Sequence, residues 1–222
     1  MLIAGCTGEV QRDELPIADN VSGDCQWSED NDEDVSLACE DGQYRILVKS
    51  VKKTAKHIIP RRLSEPVESA SVEVDTTLAR LPGKGSAAFS GVGCIVSGAN
   101  KPTRGYIFFV GNTPDGAGYA MARIDETDKS LRDDAYFKFF DDATSDVVGG
   151  VGETNHIRGE CEGASYGVNL AMFVNGKQVA TAIDPGGFHP FDGFAFQLLV
   201  PEQGTDISYD NYPRPRDRRR HN

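Results

Sequence analysis

Apolar and polar residues alternate along most of this chain with a period of two. Val72, Val74, Thr76 and Leu78 alternate with Glu73, Asp75 and Thr77, which puts an apolar side and an acidic side on one half-buried strand. Tyr44 to Lys49 reads as a shorter strand, and Val92, Cys94 and Val96 share one face of another. The run Tyr106 to Val110 is apolar on both sides, which predicts a strand lying centrally between two sheets. Further strands are expected at Tyr119–Ile124, Tyr136–Phe140, Asn155–Cys161, Phe194–Val200 and Ile207–Tyr212. Leu170 to Val174 runs into Asn175-Gly176, a strong hairpin signal, and Val179 to Ile183 returns. No stretch of a dozen residues holds the helical period, and no internal repeat is visible. About ten short strands separated by Gly, Asp and Pro predict an all-β fold of two antiparallel sheets packed as a sandwich.

At 222 residues, 39% hydrophobic and 26% charged, the chain suits one all-β domain. No apolar run approaches the roughly 20 residues that a membrane-spanning helix needs. The net charge of −11 argues against a nucleic-acid partner, which would require a basic surface. A monomer is expected. The charge is uneven: Asp24–Gly42 is acidic and holds no Lys or Arg, whereas residues 213–222 carry Arg214, Arg216, Arg218, Arg219 and Arg220. That tail is expected to be a disordered basic terminus, able to touch anionic headgroups or wall polymers.

The N-terminus suggests an address. Leu2-Ile3-Ala4-Gly5-Cys6 resembles the lipobox of bacterial lipoproteins, in which the cysteine receives the lipid. The resemblance implies a signal over residues 1–6, lipidation of Cys6 and a place on the extracytoplasmic face of the cell membrane. Only Leu2 and Ile3 stand where a secretory signal has roughly 7–15 apolar residues, so more signal is expected upstream. Residues 7–24 are polar and acidic, as a flexible tether would be. The other cysteines, Cys25, Cys39, Cys94 and Cys161, allow three pairings. A Cys25–Cys39 bond would close a short acidic loop, and Cys94 with Cys161 could join neighbouring strands. Metal-ligand spacings of the C-x-x-C kind are missing, so structural disulfides in an oxidising compartment are expected rather than zinc.

Gln26-Trp27-Ser28 through Gly42-Gln43-Tyr44-Arg45-Ile46, together with Gly91-Val92-Gly93-Cys94, Asn155-His156-Ile157-Arg158-Gly159-Glu160-Cys161 and Phe173-Val174-Asn175-Gly176-Lys177, resemble concanavalin A-like jelly rolls of the laminin-G and 3-keto-disaccharide hydrolase type. The resemblance spans residues 25–212. It implies a jelly-roll sandwich with a curved, concave face, and it brings candidate chemistry with it. Laminarinase-like enzymes of this fold carry E-x-D-x-x-E on one strand; Glu73 and Asp75 match the first two acids, but the third position is Leu78. Catalysis by that pair competes with the plain reading of outward charges on a strand.

Three further groups are candidates. His156, Arg158 and Glu160, with Glu162, share one side of a strand by parity and could bind a sugar or an anion, or else form a solvated charge ladder. Asp30, Asp32 and Asp34 offer the hard oxygens that calcium takes, without the spacing of an EF-hand loop. Trp27, the single tryptophan, could stack on a sugar ring or pack on the domain edge. Asn155 and Asn175 read as turn-forming residues. Nucleophile and phosphate-loop motifs are missing. The expectation is a non-catalytic, membrane-anchored module that recognises carbohydrate or cell-wall polymer. The alternatives are a glycoside hydrolase acting on glucan or 3-keto-glycoside substrates, and a protein-interaction or spacer domain.

Overall fold

The computed structural model describes residues 30–50, 59–81, 83, 86–96, 104–127, 137–199 and 202–210. These form fourteen strands and no helix: β1 Asp30–Asn31, β2 Val35–Glu40, β3 Gln43–Val48, β4 Ile59–Val67, β5 Ser69–Arg80, β6 Ala88–Val96 and β7 Arg104–Thr113, then β8 Gly116–Asp125, β9 Phe137–Thr144, β10 Thr154–Ala164, β11 Gly167–Val174, β12 Lys177–Asp184, β13 Phe191–Leu199 and β14 Asp206–Asp210. The larger sheet has the order β1-β2-β3-β14-β5-β10-β11-β12, and the smaller β4-β13-β6-β7-β8-β9. Every recorded pairing is antiparallel. The fold is the predicted two-sheet jelly-roll sandwich.

Alternation decides what each sheet buries. Tyr44, Ile46, Val74, Ile157, Met172 and Tyr209 of the larger sheet join Val92, Phe108, Met121 and Phe196 of the smaller in one apolar cluster. Tyr209 stacks on Phe196 with centroids 4.2 Å apart, and burial pushes its hydroxyl far above the usual tyrosine range. A buried hydroxyl pair, Thr76 Oγ1 and Ser90 Oγ at 2.8 Å, crosses between the sheets.

The two sheets come close between β7 and β10. A Cβ added at Gly159 would sit 2.0 Å from the Phe108 ring, so the aromatic face lies directly on the β10 backbone. Two residues on, Cys161 is bonded to Cys94 of β6 across 67 positions of sequence. The expected Cys94–Cys161 disulfide is therefore a link between the two sheets. Cys39 is also disulfide-bonded; Cys25, its expected partner, lies outside the described residues, as do Cys6, the tether 7–24 and the basic tail.

Some expectations need correction. The acidic stretch before Gly42 was expected to be a loop, yet it contains β1 and β2, because Val35 to Glu40 pairs with β3 through a tight turn. Asp41 and Gly42 take positive φ there, 53° and 82°, as do Asn175 and Gly176 at 49° and 80°, the geometry of two-residue hairpins. Strand β4 was not expected, since Pro60 and Pro66 interrupt its pattern; it lies at the sheet edge with an irregular register to β13, where proline is tolerated. Strand β7 is interior as expected, but it lies within the smaller sheet. Its second face, with Ile107 and Phe109, belongs to a separate buried cluster that includes Ile95, Ala122 and Ile124.

The two asparagines prove structural. Asn155 accepts from Gly149 N at 2.7 Å and donates to Gly149 O at 3.1 Å, and Asn175 Nδ2 donates to Val147 O at 2.8 Å.

Replacing Gly159 by alanine should lower the free energy of unfolding by about 3 kcal/mol, the upper end of overpacking costs, because the methyl meets a ring that cannot retreat. The Cys94→Ala/Cys161→Ala pair should lose about 4 kcal/mol from a loop of this length. Chemical denaturation of the oxidised proteins measures both.

Candidate functional site

The outward residues of the larger sheet form rows, because neighbouring strands bring alternate positions side by side. One row holds Ser69, Glu162, Asn169 and Ile183, from β5, β10, β11 and β12 in turn. The next holds Ser71, Glu160, Ala171 and Thr181. A third holds Glu73, Arg158, Phe173 and Gln178, and a fourth places Asp75 beside His156. Except for Glu160, the second row consists of short side chains, so it is the floor of a trough running across four strands. The flanking rows lie four residues apart along each strand, roughly 13 Å, and the floor spans roughly 14 Å from β5 to β12. Over the first two rows on β10, β11 and β12 lies an open depression of about 480 Å³, lined by Glu160, Glu162, Asn169, Ala171, Thr181 and Ile183 among others.

Each wall has its own chemistry. On one side Tyr166 is 55% exposed and Ile183 is 60% exposed. Tyr166 donates to Asn169 Oδ1 at 3.0 Å, and Asn169 Nδ2 reaches Glu162 at 3.5 Å. On the other side the Arg158 guanidinium lies 4.0 Å over the centre of the Phe173 ring and pairs with Glu160 at 3.1 Å. Behind that wall His156 Nδ1 meets Asp75 at 2.7 Å, while its Nε2 lies 3.7 Å from Glu73.

A buried polar knot fixes the end of β12 beside Ile183. Asp184, 2% exposed, accepts from Tyr106 Oη at 2.9 Å and pairs with Arg123 at 3.3 Å. Phe188 N donates to the same hydroxyl at 2.9 Å, and the Phe188 ring lies 5.0 Å from the Arg104 and 5.1 Å from the Arg123 guanidinium. Burial, with the adjacent Asp184 carboxylate, holds the Tyr106 hydroxyl well above the ordinary tyrosine pKa, so it remains a donor at physiological pH.

The structure brings together Glu73, Asp75, His156, Arg158 and Glu160, all on the open face of one sheet. The acidic turn between β1 and β2 lies apart and is engaged internally. Asp32 Oδ1 accepts from the backbone of Asp34 and Val35 at 2.7 Å each, and the Lys49 ammonium bonds to Asn31 Oδ1 and Asp32 O. Among the described residues no group of three His, Cys, Asp or Glu is placed to hold a metal ion. The side chain of Asp30 and all of Trp27 lie outside the described residues. Sequence reasoning missed Tyr166, Asn169, Phe173, Thr181 and Ile183. One signal was readable: a tyrosine in the two-residue Ser165-Tyr166 turn, a position that normally draws Gly, Asn, Asp or Ser.

No family model and no curated protein matches the chain. Solved structures share its fold. The alginate lyase Aly36B is similar at 13% identity, with 83% of this chain and 84% of that one covered and a TM-score of 0.52. The carbohydrate recognition domain of Emp46p, in its potassium-bound form, is similar at 9% identity, covering 80% and 84% of the two chains with a TM-score of 0.53. These likenesses place the chain among concanavalin A-like jelly rolls as a fold.

The Arg158–Phe173 wall should register in a double-mutant cycle built on Arg158→Gln and Phe173→Leu. The expected coupling is about 0.5–1 kcal/mol, the worth of an exposed cation–π contact, measured by urea unfolding.

Proposed function

We propose that this protein is a carbohydrate-binding module working outside the cytoplasm, held to the membrane by a lipid on Cys6. It grips a stretch of glycan or cell-wall polymer in the trough of the larger sheet without cleaving it. One observation carries the reading: an open channel with a small-residue floor, an exposed tyrosine on one side and a stacked Arg–Phe pair on the other. Flat aromatic and guanidinium surfaces cover the apolar faces of a pyranose ring, and the Asn169, Glu160 and Glu162 side chains meet its hydroxyls. Two proteins of the same fold are named for carbohydrate recognition or lysis, which supports the substrate class. Export is supported by the disulfides, since such bonds persist in oxidising compartments.

A second reading, hydrolysis of a glucan or 3-keto-glycoside, is favoured by His156 lying between Asp75 and Glu73. Glycosidases work with paired carboxylates, one of them held as an acid.

Binding of the full chain to a glycan array, with and without calcium, tests the main reading. The expected result is retention of at least one oligosaccharide class, weakened at least about fivefold by Tyr166→Ala and abolished by Ala171→Trp, which fills the channel. Blank spots under both conditions would leave an interaction or spacer role. Turnover of a glucan or 3-keto-glycoside that disappears in Glu73→Gln would establish hydrolysis instead.

A further inference from the structure

The charge of the trough narrows the class of glycan. Across β5, β10 and β11 the open face presents Glu73, Asp75, Glu160 and Glu162 against Arg158 and His156. Both basic groups are already engaged. Arg158 pairs with Glu160 at 3.1 Å and stacks on Phe173, and His156 lies between Asp75 at 2.7 Å and Glu73 at 3.7 Å. Among the described side chains lining the trough there is thus no cation that lacks a carboxylate neighbour. Lys177 opens β12 opposite Val174, beyond the third row. The chain as a whole carries −11.

A polyanionic glycan approaching this face meets carboxylates first, and its own carboxylates find their natural partner occupied. An ammonium gains from the same field. Glu160 and Glu162 stand at alternate positions of β10, roughly 7 Å apart along the strand. Glu160 lies in the floor, and the exposed Glu162 faces the Asn169 amide at 3.5 Å. One thus lies in the floor and the other in the wall that bears Ile183.

Resting on the binding reading above, we infer that the trough selects glycans bearing free amino groups, such as a hexosamine chain with unacetylated nitrogens, and rejects polyuronates. The ring lies over Ala171 and Thr181 against Tyr166, and its ammonium sits between Glu160 and Glu162. Acetylation of the nitrogen removes that charge. Polymerised uronic acid reverses it.

Calorimetric titration of the full chain tests this with four probes: a glucosamine oligomer, its N-acetylated counterpart, a neutral glucan oligomer and an alginate oligomer. The glucosamine oligomer should bind about tenfold more tightly than the acetylated one at low salt, the sum of two ion pairs of ordinary worth. That advantage should vanish as salt rises from about 0.05 to about 0.5 M. Glu160→Gln and Glu162→Gln should each cost the amino glycan about threefold more than they cost the acetylated oligomer. Glu65→Gln, an exposed acid on β4 of the other sheet, should change neither. Equal binding of acetylated or neutral oligomers without salt dependence would overturn the charge inference and leave the binding reading standing. Tighter binding of the alginate oligomer would overturn it as well. Failure of every probe, with Tyr166→Ala indistinguishable from the parent, would bring down the binding reading itself.

Discussion

Everything on the open face depends on how closely β10 is held to the smaller sheet. Gly159 admits the Phe108 ring onto the backbone, and Cys161 is bonded to Cys94 two positions later. A strand has a period of two, so these inward positions fix the parity of the rest. Ile157, Gly159 and Cys161 face the core; His156, Arg158, Glu160 and Glu162 face out. A slip of one residue would drive Arg158 or Glu160 into the Phe108 ring and strand a charge in an apolar interior, a cost of several kcal/mol. The register of the candidate site is thus set from behind, by contacts that touch no ligand.

The two sheets differ in what their outer faces can do. The smaller sheet carries apolar residues on both sides, and its second face is buried, with Ile107 and Phe109 fully covered. The larger sheet keeps charged residues on its outer side along β5 and β10 and mixes polar with apolar ones along β11 and β12. Only such a face can both solvate the free protein and offer directional partners to a hydroxylated ligand. The knot of Tyr106, Asp184 and Arg123 connects the two roles. It joins β7 and β8 of the smaller sheet to the end of β12, so the rim that carries Ile183 is anchored by buried hydrogen bonds rather than left at a free sheet edge.

Much of this was legible in the chain, for a definite reason. Alternation along Val72–Leu78 and Asn155–Cys161 is a local property, and it gave both the strands and the side on which Glu73, Asp75, His156, Arg158 and Glu160 lie. The hairpin at Asn175-Gly176 followed from backbone sterics alone, and the pairing of Cys94 with Cys161 from their places within strands. What could not be read is set by long-range register. Nothing local says that Glu160 stands beside Ala171 and Ser71, or that Asn169 stands beside Ile183, so the trough was invisible although most of its acids were named. Strand β2 was hidden for the opposite reason: its flanking Asp and Glu residues outweighed Val35, Leu37 and the Asp41-Gly42 turn in the reading.

Shared fold and shared function separate at this level of likeness. A lyase and a recognition domain match the chain almost equally, at TM-scores of 0.52 and 0.53, so the sandwich cannot choose between them. The choice falls to the few side chains on the outer rows. Those rows place a small-residue channel beside an exposed tyrosine, and they set Asp75 and His156 behind the Arg158–Phe173 wall, with Glu73 in the row of the wall itself. A proton-transfer group must reach the bond it breaks within hydrogen-bond distance. A ring seated over Ala171 and Thr181 lies on the far side of that wall from His156. The wall that gives the trough its shape is therefore also what separates it from His156 and Asp75, and that separation is the ground on which the proposal takes binding over hydrolysis.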